Sequence, residues 1–147
     1  LAAEFSYSEG NEAYNAVRRT LESVSSFSNQ SVAVTNRWNV EGQVTNIPRA
    51  SYGDAIGNNN FSSRWIEDAS FLRMKSITLS YNFDKPVWNF FRSGTIYVTG
   101  ENLLTATKYL GMDPEFAYSS GSNATQGFDY AKVMQPKSVK LGINLKF

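Results

Sequence analysis

The clearest pattern in the chain lies at its end, where residues 137–147 read KSVKLGINLKF. Val139, Leu141, Ile143, Leu145 and Phe147 share one face, against Ser138, Lys140, Gly142, Asn144 and Lys146. That period of two marks a strand with two unlike faces. Residues 71–83, FLRMKSITLSYNF, repeat the design with Ile77, Leu79, Tyr81 and Phe83 opposed to Ser76, Thr78, Ser80 and Asn82. The alternation fails where this segment begins: Leu72 and Met74 fall on the polar face, Arg73 and Lys75 on the apolar one. A third strand is predicted over 95–104, TIYVTGENLL, with Ile96 and Val98 opposed to Tyr97, Thr99 and Glu101 and with Gly100 as a bulge or a close approach. EFSYSEG, residues 4–10, reads as the tail of a fourth strand. The pattern by itself serves a soluble sheet with one buried face equally well, or a membrane strand, which needs about 9–11 tilted residues.

The connections separate these readings. The second and third strands are joined by the short segment 84–94, DKPVWNFFRSG, while residues 28–70 and 105–136 are long and rich in Asn, Ser and Gly. Compact soluble domains seldom carry structureless connections beyond about 15 residues, whereas outer-membrane barrels alternate short periplasmic turns with long external loops. The expected fold is therefore all-β, the C-terminal strands of a large transmembrane antiparallel β-barrel with long extracellular loops. One short loop helix is predicted within NEAYNAVRRTLESVSSF, where Tyr14, Val17, Leu21 and Val24 form a stripe and Asn11 caps. In that frame Trp88, Phe90 and Phe91 sit at the periplasmic interface and Arg73 and Lys75 lie near the outer rim. The last strand then descends to leave Phe147 and the C-terminus on the periplasmic side.

Composition narrows the chemistry. The 147 residues carry 14 basic and 13 acidic side chains, a net charge of +1, so there is no basic field to attract nucleic acid. Cys and His are absent, which removes zinc sites, disulfides, thiol nucleophiles and imidazole bases. No nucleophile–base pair and no metal-ligand set emerges, so neither an enzyme nor a cofactor is expected. No run approaches eighteen apolar residues, and a membrane part would have to be a closed sheet that satisfies its backbone internally.

Several loop residues are candidates for contact with a substrate or a covering protein: Trp38, Tyr52, Trp65, Tyr109, Tyr118, Phe128 and Tyr130, with Phe116 beside them. Flat rings stack on sugars or hold peptide side chains, and loops concentrate binding residues. The same rings also pack long loops against one another. Glu67, Asp68, Asp113 and Glu115 are close in sequence, but a partner such as Arg64 or Arg49, or solvent, fits them better than a cation. Glu101, on the face expected to line the lumen, reads either as a contact to the plug or the substrate path or as one half of a cross-strand ion pair.

In this order, NRW (36–38), IPRASYGD (47–54), FSSRWIEDASFLRMKSITLSYNF (61–83), YVTGENLLTATKY (97–109), GMDPE (111–115), GFDY (127–130) and QPKSVKLGINLKF (135–147) resemble the C-terminal part of SusC/RagA-type TonB-dependent outer-membrane transporters of Bacteroidetes. The resemblance implies that residues 1–147 are about four strands of a barrel domain, with the plug domain and the remaining strands upstream of Leu1. It implies a SusD-like lipoprotein as lid, coupling to TonB through upstream segments, an outer-membrane location, and active import of an oligosaccharide or a peptide. Phe147 resembles the terminal aromatic read by the barrel-assembly machinery. Two other readings stay open at this point: a passive channel or structural, adhesive barrel, and a soluble glycan-binding β-sandwich.

Overall fold

The computed structural model describes residues 1–23, 25, 27–84, 92–116 and 126–147. Val24 of the predicted stripe, the predicted interface aromatics Trp88, Phe90 and Phe91, and the candidate contact Tyr118 lie outside these residues. The chain divides into two compact units, a sheet unit made of residues 1–9, 70–108 and 134–147 and a lobe made of residues 10–69 and 109–133.

The sheet unit holds β1 (Ala2–Ser8), β4 (Phe71–Phe83), β5 (Ser93–Thr107) and β7 (Ser138–Lys146), all antiparallel, in the order β1-β4-β5-β7. The predicted third strand is longer than the alternation indicated, and the fourth begins earlier in the chain. Register places Ile77, Leu79, Tyr81 and Phe83 beside Gly100, Val98, Ile96 and Gly94 of β5, which in turn face Val139, Leu141, Ile143 and Leu145 of β7. Leu79, Tyr81, Leu141 and Ile143 are exposed, so one apolar face is open, as a lipid-facing wall requires. On the other face Thr78 and Thr99 share a 2.9 Å hydrogen bond, and Thr95 donates to Asn82 at 2.7 Å. Glu101 there accepts from Ser138 Oγ at 2.8 Å and from Lys140 Nζ at 2.5 Å. This is the cross-strand ion pair.

The faulty alternation at residues 72–75 has a geometric cause. Glu4 pairs with Ser76 but Phe5 with Met74, and on the other side Ser76 pairs with Glu101 but Met74 with Leu104. Lys75 is thus a bulge relative to β1, and Asn102 and Leu103 oppose it on β5, with Asn102 at φ 52°. A one-residue slip exchanges faces. Leu72 and Met74 therefore join Phe5, Tyr7 and Leu104 on the apolar face, while Arg73 turns to the polar face, 3% exposed, where its Nε donates to Thr105 Oγ1 at 3.2 Å. Placing Arg73 on the apolar face, as strict alternation does, is corrected. The bulge also sits beyond Gly100, which instead makes the close approach: a Cβ there would meet Leu103 Cδ1 at 2.5 Å.

The lobe is ordered by a small sheet, β3-β2-β6, in which β2 (Glu12–Asn15) pairs antiparallel with β3 (Ile66–Asp68) and parallel with β6 (Phe128–Asp129). Short 3-10 turns lie at Val32–Asn36, Tyr52–Asp54 and Ser63–Trp65. The helix, α1, is confined to Ala16–Glu22, and its cap is Asn15, whose side chain accepts from the Arg18 N–H at 2.8 Å, not Asn11. Tyr14 belongs to β2, and Leu21 is exposed while Ala16 and Glu22 are buried. The predicted stripe is therefore not the packed face, because pairing with β3 and β6 claims residues 12–15 before the helix starts.

Candidate functional site

The lobe is built around one indole. Trp65 follows the turn that begins at Ser63 and is 1% exposed, packed with Tyr14, Ala16 and Phe128. Its Nε1 donates to the Asn60 carbonyl at 3.2 Å, and the guanidinium carbons of Arg64 and Arg18 lie 4.4 and 5.7 Å from the ring centroid. Each is a cation–π arrangement.

Those cations belong to a chain of charges that are buried at Glu22 and half-buried at Arg18, Arg64 and Glu67. Arg18 Nε donates to Glu22 at 2.7 Å, Arg18 Nη1 to Glu67 at 2.9 Å, and Arg64 Nη2 to Glu22 at 2.9 Å. The Arg18–Glu22 spacing is the helical i, i+4 step. Glu67 also accepts from the Leu110 N–H at 3.1 Å, which ties the second loop segment into the lobe. Desolvation, the largest influence on Arg18, lowers its pKa, but the hydrogen bonds and charges of Glu22 and Glu67 together outweigh it and raise the pKa above its ordinary value. Arg64 thus serves Glu22, and Glu67 takes Arg18 instead. Asp113 accepts from the Glu115 N–H at 2.9 Å. Among the described residues no group of three or more acidic side chains is placed to hold a metal.

Tyr109 donates its hydroxyl to Asp129 at 2.7 Å, and both residues are buried. Burial, and then the carboxylate of Asp129, hold the phenol protonated well above its ordinary range. Its ring packs against Phe116, with centroids 5.6 Å apart. Trp65 and Tyr109 are thus interior supports and not exposed platforms. Phe128 is half-buried, tilted against Tyr14 at 5.0 Å and stacked on Tyr130 at 6.2 Å. Tyr130 and Tyr52 are exposed, and Tyr52 leans on Phe27 at 5.3 Å. Trp38 is half-buried on a groove of about 430 Å3 that Arg49 and Arg64 also line. Phe147 is 82% exposed at the end of β7.

No family model matches the chain. Two TonB-dependent receptors of Formosa agariphila are each 32% identical to it across 97% of its length. SusC of Bacteroides thetaiotaomicron, another TonB-dependent receptor, is 36% identical over 58% of the chain. The solved RagAB peptide importer matches 99% of the chain at 28% identity with a TM-score of 0.79 in its closed-closed state, and at 27% identity with the same score in its open-open state. The chain belongs to the SusC/RagA-type TonB-dependent outer-membrane transporters. It spans 15% and 14% of the two Formosa receptors, 8% of SusC and 15% of the matched RagAB chain.

Within this transporter chain the segments that carried the resemblance are spread over both units. FSSRWIEDASFLRMKSITLSYNF runs through the Trp65 turn, β3 and the Lys75 bulge of β4, while GFDY supplies β6 and the Asp129 acceptor. The charged hub of Arg18 and Glu22 was not among the sequence candidates. Its available signal was the i, i+4 pairing three residues after Asn15.

Proposed function

We propose that the chain forms the C-terminal wall and an external lobe of a TonB-dependent importer that takes up an oligosaccharide or a peptide across the outer membrane. The observation that carries this reading is the match of the whole chain, strands and lobe together, to a solved importer at a TM-score of 0.79. The plug and the other strands lie in the remainder of the protein, and energy comes from TonB through that part. A SusD-like surface lipoprotein covers the mouth, as the likeness to SusC favours.

The long connections, residues 10–69 and 109–133, face the exterior, and the 84–92 link and the C-terminus face the periplasm. Phe147 is the residue offered to the barrel-assembly machinery. Of the aromatic candidates, Trp38, Tyr52 and Tyr130 keep open ring surface for a ligand or for the lid.

The test uses the full-length transporter in its host. Uptake of labelled oligosaccharides and peptides is compared in cells with the transporter, without it, and without TonB. Uptake that needs both proteins is expected, and equal uptake in the TonB-deficient cells would mean a passive channel. A cysteine introduced at Val44, 97% exposed, reports orientation: on intact cells a membrane-impermeant maleimide should label the variant beyond any labelling of the parent transporter.

A further inference from the structure

The groove beside Trp38 differs in its chemistry from the rest of the lobe. It is lined by Trp38, Thr45, Asn46, Arg49, Asn58 and Arg64, with a volume of about 430 Å3. The side formed by Trp38 and residues 45–47 is fixed by hydrogen bonds, since the Trp38 N–H donates to the Ile47 carbonyl at 2.9 Å and the Ile47 N–H to Thr45 Oγ1 at 3.2 Å. The groove is thus a built feature and not a gap between free loops.

Two guanidiniums border it, and they are not equivalent. Arg64 gives Nη2 to Glu22 and lies over Trp65, but its Nε is buried without an acceptor. Arg49 is exposed and makes no ion pair or hydrogen bond with the described residues. The charge chain Arg64–Glu22–Arg18–Glu67 balances internally, with two cations and two anions, so Arg49 brings an uncompensated positive charge to the groove. A guanidinium fork matches a carboxylate or a sulfate in a bidentate manner. The Trp38 indole beside it offers an apolar face, and Asn46, Asn58 and Thr45 offer amide and hydroxyl groups of the kind that recognise ring hydroxyls.

We propose that this groove is a subsite for an acidic sugar residue, a uronate or a sulfated hexose, whose anionic group is held by Arg49 with Arg64 behind it and whose ring lies along Trp38. The proposal rests on the import reading and narrows its substrate class to an anionic oligosaccharide.

The test is calorimetric binding to the purified full-length transporter, with its lipoprotein if the two co-purify, using four probes: an oligogalacturonate, a sulfated galactan oligosaccharide, a neutral galactan oligosaccharide of equal length, and an acidic peptide. At least one acidic saccharide is expected to bind and the neutral one to bind at least tenfold more weakly. Arg49→Gln should weaken the acidic saccharide at least tenfold and leave the neutral one unchanged, and Arg49→Lys should recover part of the loss. Trp38→Ala should weaken both saccharides. Arg49→Gln is at an exposed site and should leave folding intact, which heat-modified mobility on gels verifies. Binding of neither acidic saccharide, equal binding of acidic and neutral probes, an unchanged Arg49→Gln affinity, or Arg49-dependent binding of the peptide alone would each overturn the subsite. A failure of the import reading shows separately, as transporter-independent uptake in cells whatever the binding results.

Discussion

The Tyr109 hydroxyl donates to the Asp129 carboxylate at 2.7 Å, and neither side chain reaches solvent to a useful degree. This bond joins the two ends of the second loop segment of the lobe. Tyr109→Phe leaves the Asp129 Oδ2 without its phenol in a buried position, a loss of about 1–3 kcal/mol. Amide hydrogen exchange of the full-length transporter in detergent should then quicken in residues 109–113 and 126–131, and stay as it was in β7.

The same pair sets an alkaline limit. The Tyr109 pKa is raised in the folded lobe above the value of about 10 of a free phenol. Because the folded form favours the protonated phenol, this contribution is complete below about pH 10 and is lost as pH climbs from there towards the folded pKa. Exchange in these segments should therefore accelerate above pH 10 in the parent protein, and Tyr109→Phe should remove that added acceleration. Persistence of the same pH response in the variant would contradict the assignment.

Glu22 carries two cations on one buried carboxylate, with its side chain 4% exposed. Glu22→Ala leaves Arg18 and Arg64 beside Trp65 without it, and breaking a buried pair in this way costs about 3–5 kcal/mol. The lobe is expected to become sensitive to protease added to intact cells, while the amount of transporter in the outer membrane is kept by the strands. Glu67→Gln, which keeps the hydrogen-bonding oxygen for Leu110, should be milder.

The strands were legible because a period of two survives in three of the four, and the family motifs placed them in the right protein. What sequence alone misplaced depended on partners far along the chain. The bulge at Lys75 is invisible in a strand read alone, since only pairing to Phe5 and Leu104 reveals the slip. The helix was drawn too early because Tyr14 fits a helical stripe as well as a strand, and β6, which claims it, is more than a hundred residues away. Aromatic content pointed correctly to the lobe but not to which rings stay open, because Trp65 and Tyr109 are buried by arginine and carboxylate partners that no local pattern names.

Glycines on the strands give a graded test of packing. At Gly142 an added Cβ would meet Tyr97 Cζ at 2.2 Å, the far end of a ring that can swing aside, whereas at Gly94 it would meet Phe83 Cζ at 2.4 Å and the Asn144 carbonyl oxygen at 2.8 Å. Backbone yields less readily than a ring. Gly94→Ala is expected to cost about 1–3 kcal/mol through overpacking and to lower the temperature at which the barrel loses its compact gel mobility. Gly142→Ala should cost less, and Tyr97→Ala combined with it should show no additional penalty from the glycine change. Equal penalties at both glycines would mean that the ring over Gly142 is as fixed as the backbone.

The bulge itself can be removed. Deleting Lys75 makes Met74 the direct neighbour of Ser76, so strict alternation then keeps Leu72 and Met74 with Phe5, Tyr7 and Leu104 and leaves Arg73 on the polar face, and β4 can pair with β1 without the extra residue. The full-length protein lacking Lys75 should therefore still accumulate in the outer membrane. Deleting Met74 and keeping Lys75 would instead put Arg73 opposite Phe5 and Leu104 and turn Leu72 to the polar face, and a charge in lipid costs up to about 2–4 kcal/mol depending on depth. That variant should fail to accumulate. If the two deletions assembled equally well, the faces of residues 72–74 would not be fixed by the bulge.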